Sequence, residues 1–278
     1  MSSKLRSLRV KHVSVSTALS RSGLPDIDFA LNPYLGCSHG CVYCYARLYT
    51  RDREVAENWG SVVGVKTNLP LVLMREVRRL KPGVVGVGTI TDSYQPAEAV
   101  YGVTKRCLEI LLKRGFNVSI QTKNPLVLRD IELLVSRREL VDVGFTITSL
   151  NESVRRLLEP KAPPYKARVY ALDKLMSVGI KTWVFYGPVV PGINDDEESV
   201  RDVVEVAAST SSTLYYDPLH VKSFMLNEHH PLYNSALKVN SAWWRSIVEK
   251  ILYYCKKYGV TCKPGFTGDA SRLDAPSL

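Results

Sequence analysis

The sequence predicts an α/β fold: an open, partial (β/α)6 barrel with N- and C-terminal extensions. Three observations lead there. Apolar, β-rich runs alternate with helical patterns six times along the chain, and such alternation means βαβ units on a parallel sheet with right-handed crossovers. Six units are too few for a closed eight-stranded barrel. The polar residues with chemical potential fall just after the predicted strands, where parallel barrels carry their active sites.

The strands are expected over Asp28–Tyr34, Val84–Thr91, Phe116–Gln121, Val141–Thr148, Ile180–Tyr186 and Thr213–Asp217. Helices fill the gaps. Leu71–Leu80 follows Pro70, a good first-turn residue. Glu98–Lys113 follows Pro96 and stops near Gly115. Leu126–Ser136, Ala167–Val178 before Gly179, and Asp195–Ser209 with its acidic first turn come next. Ser241–Lys257 precedes Gly259. Residues 1–27 read as an N-terminal extension laid across the barrel, 28–218 as the core, and 219–278 as a C-terminal segment and helix covering it. Within the last, 219–240 is an irregular stretch expected over the mouth.

The 278 residues, 45% apolar, suffice for one large domain or two small ones. No apolar run is long enough for a membrane helix, and the charged N-terminus lacks a following apolar stretch, so neither a membrane span nor a signal peptide is expected. A cytoplasmic location follows. Net charge is +10, and residues 154–181 carry seven Lys or Arg against two Asp or Glu. That balance favours an anionic partner such as DNA or RNA, or marks solvated helix faces. Cys107 falls in a helical pattern and reads as a small buried apolar residue. Cys255 and Cys262 flank a turn and read as two unpaired thiols, pairing only in a hyperthermophile's chain.

The most informative stretch follows strand one: Cys37-Ser-His-Gly-Cys41-Val-Tyr-Cys44, spaced C-x3-C-x2-C. Three thiolates hold three irons of a [4Fe–4S] cube, one each. The fourth iron is left open to bind a substrate or cofactor. A zinc site completed by His39 matches no common spacing, because His39 lies inside the first Cys pair. A disulfide lacks a secretory context.

Further polar residues stand at the other strand ends. Asp92, in Thr91-Asp-Ser-Tyr-Gln-Pro-Ala-Glu98, is an acceptor-only anion suited to an ammonium, or part of a helix cap. Lys123 is a compact cation for a carboxylate or phosphate, or an ordinary loop lysine. After strand four come Ser149, Asn151 and, further on, Arg168, whose fork suits a carboxylate. Ser149 and Asn151 also read as a helix cap. Tyr215, Tyr216, Asp217 and His220 close the sixth unit, with aromatics fit to stack on a base or fill the barrel.

The cysteine spacing resembles the signature of the radical S-adenosylmethionine (SAM) enzymes. The ordered motifs, from about Thr17 to Ile193, resemble its DNA-repair-photolyase-like branch, related to spore photoproduct lyase. They are Asn32 through Arg47, Thr91 through Glu98, Thr122-Lys123, Leu128-Arg-Asp130, and Ser149 through Arg168. This resemblance implies a TIM-like partial barrel of the radical SAM type. It implies a [4Fe–4S] cluster on Cys37, Cys41 and Cys44, with SAM on the fourth iron and Tyr43 near the adenine. Lys123, Ser149 and Arg168 would contact SAM, chiefly its carboxylate and ribose, with Asp92 and Asn151 in the same pocket. Reductive cleavage of SAM would give a 5′-deoxyadenosyl radical that abstracts hydrogen. The electron would come from a reductant protein such as ferredoxin or flavodoxin.

The chain departs from spore photoproduct lyase at the end of strand two. There the lyase has a hydrogen-donating Cys, whereas this chain has Thr89 and no Cys from 45 to 106. Tyr94 stands as a substitute in a radical relay. From Leu219 on, no motif matches. The substrate is therefore open: a nucleic-acid lesion, a peptide or a small metabolite. A non-catalytic zinc-binding nucleic-acid module is the alternative of another class.

Overall fold

The alternation of apolar runs and helices becomes a parallel sheet. The computed structural model describes residues 8–24 and 26–265; the parts of the expected extensions at 1–7, 25 and 266–278 lie outside them. The strands are β1 (Arg9–Val13), β2 (Leu19–Arg21), β3 (Phe29–Leu31), β4 (Tyr34–Leu35), β5 (Val62–Lys66), β6 (Val84–Val87), β7 (Asn117–Thr122), β8 (Val141–Thr146), β9 (Lys181–Val189), β10 (Thr213–Pro218) and β11 (Cys262–Pro264). Eight of them form one sheet in the order β11-β10-β9-β8-β7-β6-β3-β2. All its pairings are parallel except β2 on β3, which is antiparallel at the edge. Strands β2 and β11 end the sheet rather than pair with each other, so the barrel is open.

Alternation sorts this sheet into two faces. Val85, Val87, Val118, Ile120, Val143 and Val184 pack in one apolar core with Leu108 and Leu111 of the helix Val103–Lys113, Leu172 and Leu175 of Tyr165–Ser177, and Val203 of Glu197–Ser209. The opposite positions face the bore. Among the described residues no helix is long and apolar enough to cross a membrane.

Several expected elements divide where glycine or proline intervenes. Strand one becomes β3 and β4, in different sheets, because Pro33 between them has no N–H to continue a ladder. β4 pairs with β5, which also pairs with β1 in a separate three-stranded sheet. β5 was legible as Val62-Val63-Gly64-Val65 and is not among the expected strands. The helix expected over Glu98–Lys113 is two helices, Ala97–Tyr101 and Val103–Lys113, hinged at Gly102 in the left-handed region (φ 57°). Glu98 caps the second by accepting from the Thr104 and Lys105 backbone N–H groups at 2.8 and 3.2 Å. Arg129 Nη2 donates to the same carboxylate at 2.8 Å and to Asp130 at 2.8 Å. The Leu128-Arg-Asp130 motif thus holds this double helix in place.

Cys107 is fully buried in the core, as expected. Cys255 and Cys262 correct the expectation of free thiols: they form a disulfide, with Cα atoms 6.2 Å apart. The helix Ser241–Tyr258 ends at Gly259 (φ 68°), and the chain folds back with Val260 N–H donating to Cys255 O at 2.9 Å. β11 then lies beside β10, returning Cys262 to the helix end. We expect non-reducing mass spectrometry to find this bridge. Replacing both residues with Ser should cost about 2 kcal/mol for so short a loop, read as a lower denaturation midpoint.

Candidate active site

The cysteine loop leaves β4 through Gly36, whose φ of 73° is open to glycine, and a Cβ there would stand 2.5 Å from Val55 Cγ1. The loop is tied from two sides. Thr91 Oγ1 and Gln95 Nε2 donate to Gly36 O at 2.6 and 3.1 Å, and Ser38 N–H donates to Gln95 Oε1 at 2.9 Å. From beyond β8, Leu158 O accepts from Val42 N–H at 3.0 Å, and Lys161 N–H donates to His39 O at 3.2 Å. Gly40 packs backbone to backbone on Gly60, where a Cβ would lie 2.8 Å from the Gly40 Cα.

These ties set Cys37, Cys41 and Cys44 on one wall of a cavity of about 360 Å³ at the C-terminal ends of the strands. All three are free thiols. Tyr43, Asp92 and Lys123 line the same cavity. Asp92 organises its floor. Oδ1 accepts from Thr122 Oγ1 at 2.7 Å and Tyr94 N–H at 2.9 Å, Oδ2 accepts from Lys123 N–H at 2.8 Å, and His39 Nδ1 lies 3.3 Å from Oδ2. Burial opposes its ionisation, but His39 and the Lys123 N–H hold it well below the usual carboxylate range. Burial also opposes the Lys123 ammonium, yet the negative charge of a Cys41 thiolate, of Glu159 and of Asp92 raises its pKa. Its Nζ stands 5.9 Å from the Tyr43 ring centroid. Burial pushes the Cys41 thiol up to about 11 and Cys44 up to about 12, so metal loading there has to expel protons.

Four other expected site residues are not on the cavity wall. Tyr94 is fully buried with its hydroxyl 3.2 Å from Asp130 Oδ2, which places it in the core rather than in reach of a ligand. Ser149 Oγ accepts from Asn151 N–H at 3.0 Å, and Asn151 Oδ1 accepts from Ser153 and Val154 N–H at 2.9 and 3.3 Å, capping the helix Glu152–Leu158. Arg168 is buried with its donors committed. Nε and Nη2 reach Pro163 O at 3.0 and 2.8 Å, Nη1 reaches Thr146 O at 2.8 Å, and Nη2 pairs with Glu159 Oε2 at 2.5 Å. Glu159 in turn accepts from Tyr43 OH at 2.6 Å. Arg168 therefore acts on the cavity through Glu159 and Tyr43.

Sequence reasoning gave Glu159, Gln95 and Thr91 no role. Their signal was polarity beside a proline for Glu159 and Gln95, and a polar residue shortly after a strand for Thr91. The basic run 154–181 is also partly internal: Arg155 Nη1 donates to Glu159 O and Ala162 O at 2.8 Å each, and Lys161 Nζ donates to Gly60 O at 2.6 Å.

Residues 31–204 match the family model of the radical SAM superfamily. The chain belongs to the radical SAM superfamily. An uncharacterised protein of Methanocaldococcus jannaschii is 27% identical over 268 residues, 95% of this chain and 98% of that protein. Another, of Mycobacterium tuberculosis, is 30% identical over 70% of this chain, which spans 59% of that protein. Among solved structures, a mutant of spore photoproduct lyase superposes with a TM-score of 0.68 at 13% identity, covering 92% of this chain and 82% of that one. Streptococcus suis SuiB bound to S-adenosylmethionine gives 0.55 at 11% identity, over 85% and 49%. At such identities the likeness is of fold: a TIM-like α/β sheet, here without closure.

Membership in the radical SAM superfamily implies SAM and a [4Fe–4S] cluster, and the donor set fits them. Among the described residues no three His, Cys, Asp or Glu side chains gather closely enough for a single ion. Cys37, Cys41 and Cys44 line one cavity and supply one thiolate for each of three irons. Glu159 should prove the main support of that wall. Burial works against its charge, but Arg168 and Lys123 hold its pKa below the usual range. Its contribution to stability is then complete above the ordinary glutamate pKa, about 4.3, and lost as pH falls through the lower folded value. We expect Glu159→Ala to cost about 3–5 kcal/mol at neutral pH by chemical denaturation, since it strands the buried Arg168.

Proposed function

We propose that this chain is an enzyme in which Cys37, Cys41 and Cys44 hold a [4Fe–4S] cluster with an open iron for SAM. The supporting observation is that these three thiols and Lys123 share one cavity at the strand ends of a radical SAM fold. When bound, the cluster would supply the electron for reductive cleavage of SAM and so the radical chemistry that removes hydrogen from a substrate. Lys123, kept cationic, holds the SAM carboxylate. Tyr43, oriented by Glu159 and Arg168, would be the ring available to the adenine. Asp92 fixes the backbone that presents Lys123.

The substrate class we favour is a nucleic-acid lesion. Its support is the +10 charge and the fold likeness, at a TM-score of 0.67, to a spore photoproduct lyase mutant with bound AdoMet and dinucleoside spore photoproduct. A peptide substrate has the weaker support of SuiB bound to precursor peptide SuiA, at 0.60. Thr89 lines the cavity and accepts from Asn32 Nδ2 at 2.9 Å, so the lyase's route of hydrogen return is not carried over. A ferredoxin or flavodoxin is the reductant class.

The test is anaerobic reconstitution, iron and sulfide analysis, and a dithionite-driven assay for 5′-deoxyadenosine with and without damaged DNA. We expect about four irons per chain, 5′-deoxyadenosine formation, and stimulation by the lesion. Cys37→Ala, Cys41→Ala or Cys44→Ala should each abolish both iron loading and turnover; any one of them cleaving SAM at the wild-type rate refutes the assignment. Lys123→Gln should weaken SAM binding by roughly tenfold or more, the worth of one charged hydrogen bond. Nucleic-acid affinity should fall steeply with added salt.

A further inference from the structure

The cavity has a second end. A packed parallel barrel fills its interior with branched aliphatic side chains. Here the bore-facing wall below the cysteine loop is Gly86, Ser119, Gln121, Thr146, Trp183 and Phe185, and all six line the cavity. On β7, β8 and β9 the aliphatic residues Val118, Ile120, Val143 and Val184 lie on the helix-covered face. Among the described residues, Leu24 and Ile27 of the N-terminal segment also line the cavity, with Ile27 over Gly86, and the wall from β7 to β9 is furnished with two rings and an amide rather than strand aliphatics.

Trp183 is held as a platform. Its backbone neighbour on β8 is Gly144, and a Cβ there would stand 2.1 Å from the indole carbons. The ring lies over the adjacent strand because that strand has no side chain at this point. Its Nε1 donates to Asp142 Oδ1 at 2.7 Å, an oxygen that also accepts from Ser119 Oγ at 2.6 Å. Tyr215 closes its edge, with ring centroids 5.6 Å apart at 79°. Phe185 repeats the device on its own strand, where a Cβ at Gly187 would lie 2.3 Å from its ring. Gln121 is the register partner of Gly144 and so sits in the Trp183 layer. Its amide offers both donors and an acceptor, and Nε2 makes a long bond of 3.3 Å to Thr146 Oγ1. A fixed ring, backed by glycine and beside an amide, is preorganised for stacking with edge recognition.

We propose that this lower end of the cavity binds a planar, hydrogen-bonding heterocycle of the substrate, a nucleobase-type ring stacked on Trp183 and read at its edge by Gln121. The inference rests on the radical SAM reading for the upper end and deepens it by assigning the residues that select the substrate.

The test uses the full-length, cluster-loaded protein with saturating SAM, titrated by calorimetry with thymidine, adenosine and the dinucleotide of two thymidines. At least one should bind saturably. Trp183→Leu should weaken that binding about tenfold to a hundredfold, the worth of one base–aromatic stack, while Trp183→Phe, which keeps a ring, should recover most of it. Gln121→Leu should change the ranking of thymidine against adenosine. The proposal is overturned if wild type binds none of the three into the millimolar range, or if Trp183→Leu binds as wild type does. It is also overturned if SAM competes with the nucleosides, which would make the ring site SAM's own, or if a phenylalanine dipeptide binds as well as they do. Should Trp183→Leu fail to fold by circular dichroism, Gln121→Leu decides: an unchanged ranking overturns edge recognition. SAM binding to wild type without nucleoside is measured separately. Its absence refutes the radical SAM reading, and its presence without nucleoside binding refutes only the ring site.

Discussion

The carbonyl of Gly36 accepts from both Thr91 and Gln95, and the geometry of the site depends on that convergence. A loop with three thiols and two left-handed glycines has little internal reason to adopt one shape. The segment after β6 supplies the reason. Gln95 grips the loop at Gly36 and Ser38, while Asp92, three residues earlier, grips the end of β7. One stretch of chain thus fixes the cysteine wall relative to Lys123. The second grip, from Leu158 and Lys161, comes from the same connection that contributes Glu159.

The two faces of the sheet divide the labour of stability and function. Burial of Val, Ile and Leu against helices on the outer face supplies the favourable free energy. The inner face is released from packing and carries Gly, Ser, Gln and Thr beside two rings held in place. Glycine at 144 is required by the indole it supports, not by a turn. The polar groups inside are matched among themselves, as Asp142 with Ser119 and Trp183, which offsets part of the burial that raises the Asp142 pKa.

Strand–helix alternation was legible because its periodicities are long and strongly apolar, and the cysteine spacing because it is local. What escaped was set by local breaks in the backbone and by partners distant in sequence. Strand one divides at Pro33, and the helix after β6 divides at Gly102, where capping by Glu98 outweighs continuous helical periodicity. Arg168 looked free because a side chain's inventory of donors says nothing of which acceptors the fold brings to it. Pro163, Thr146 and Glu159 claim four of its five N–H groups. Tyr94 likewise meets Asp130 first, whereas the helix cap at Asn151 was one of the two readings its sequence offered. Trp183 carried no recognisable motif, because its significance depends on a glycine in another strand.

The Cys255–Cys262 bridge fastens the end of the last helix to the edge strand β11, which lies on β10. β10 ends at Asp217 and Pro218 on the cavity rim. One polypeptide thus keeps an oxidised sulfur pair at its margin and three reduced thiols at its centre. A dithiol reagent that protects the central thiols also attacks a disulfide by exchange. Preparations matched in iron content can therefore differ in whether the rim beside Asp217 is still stapled, and the thiol history of a sample becomes a variable of its structure.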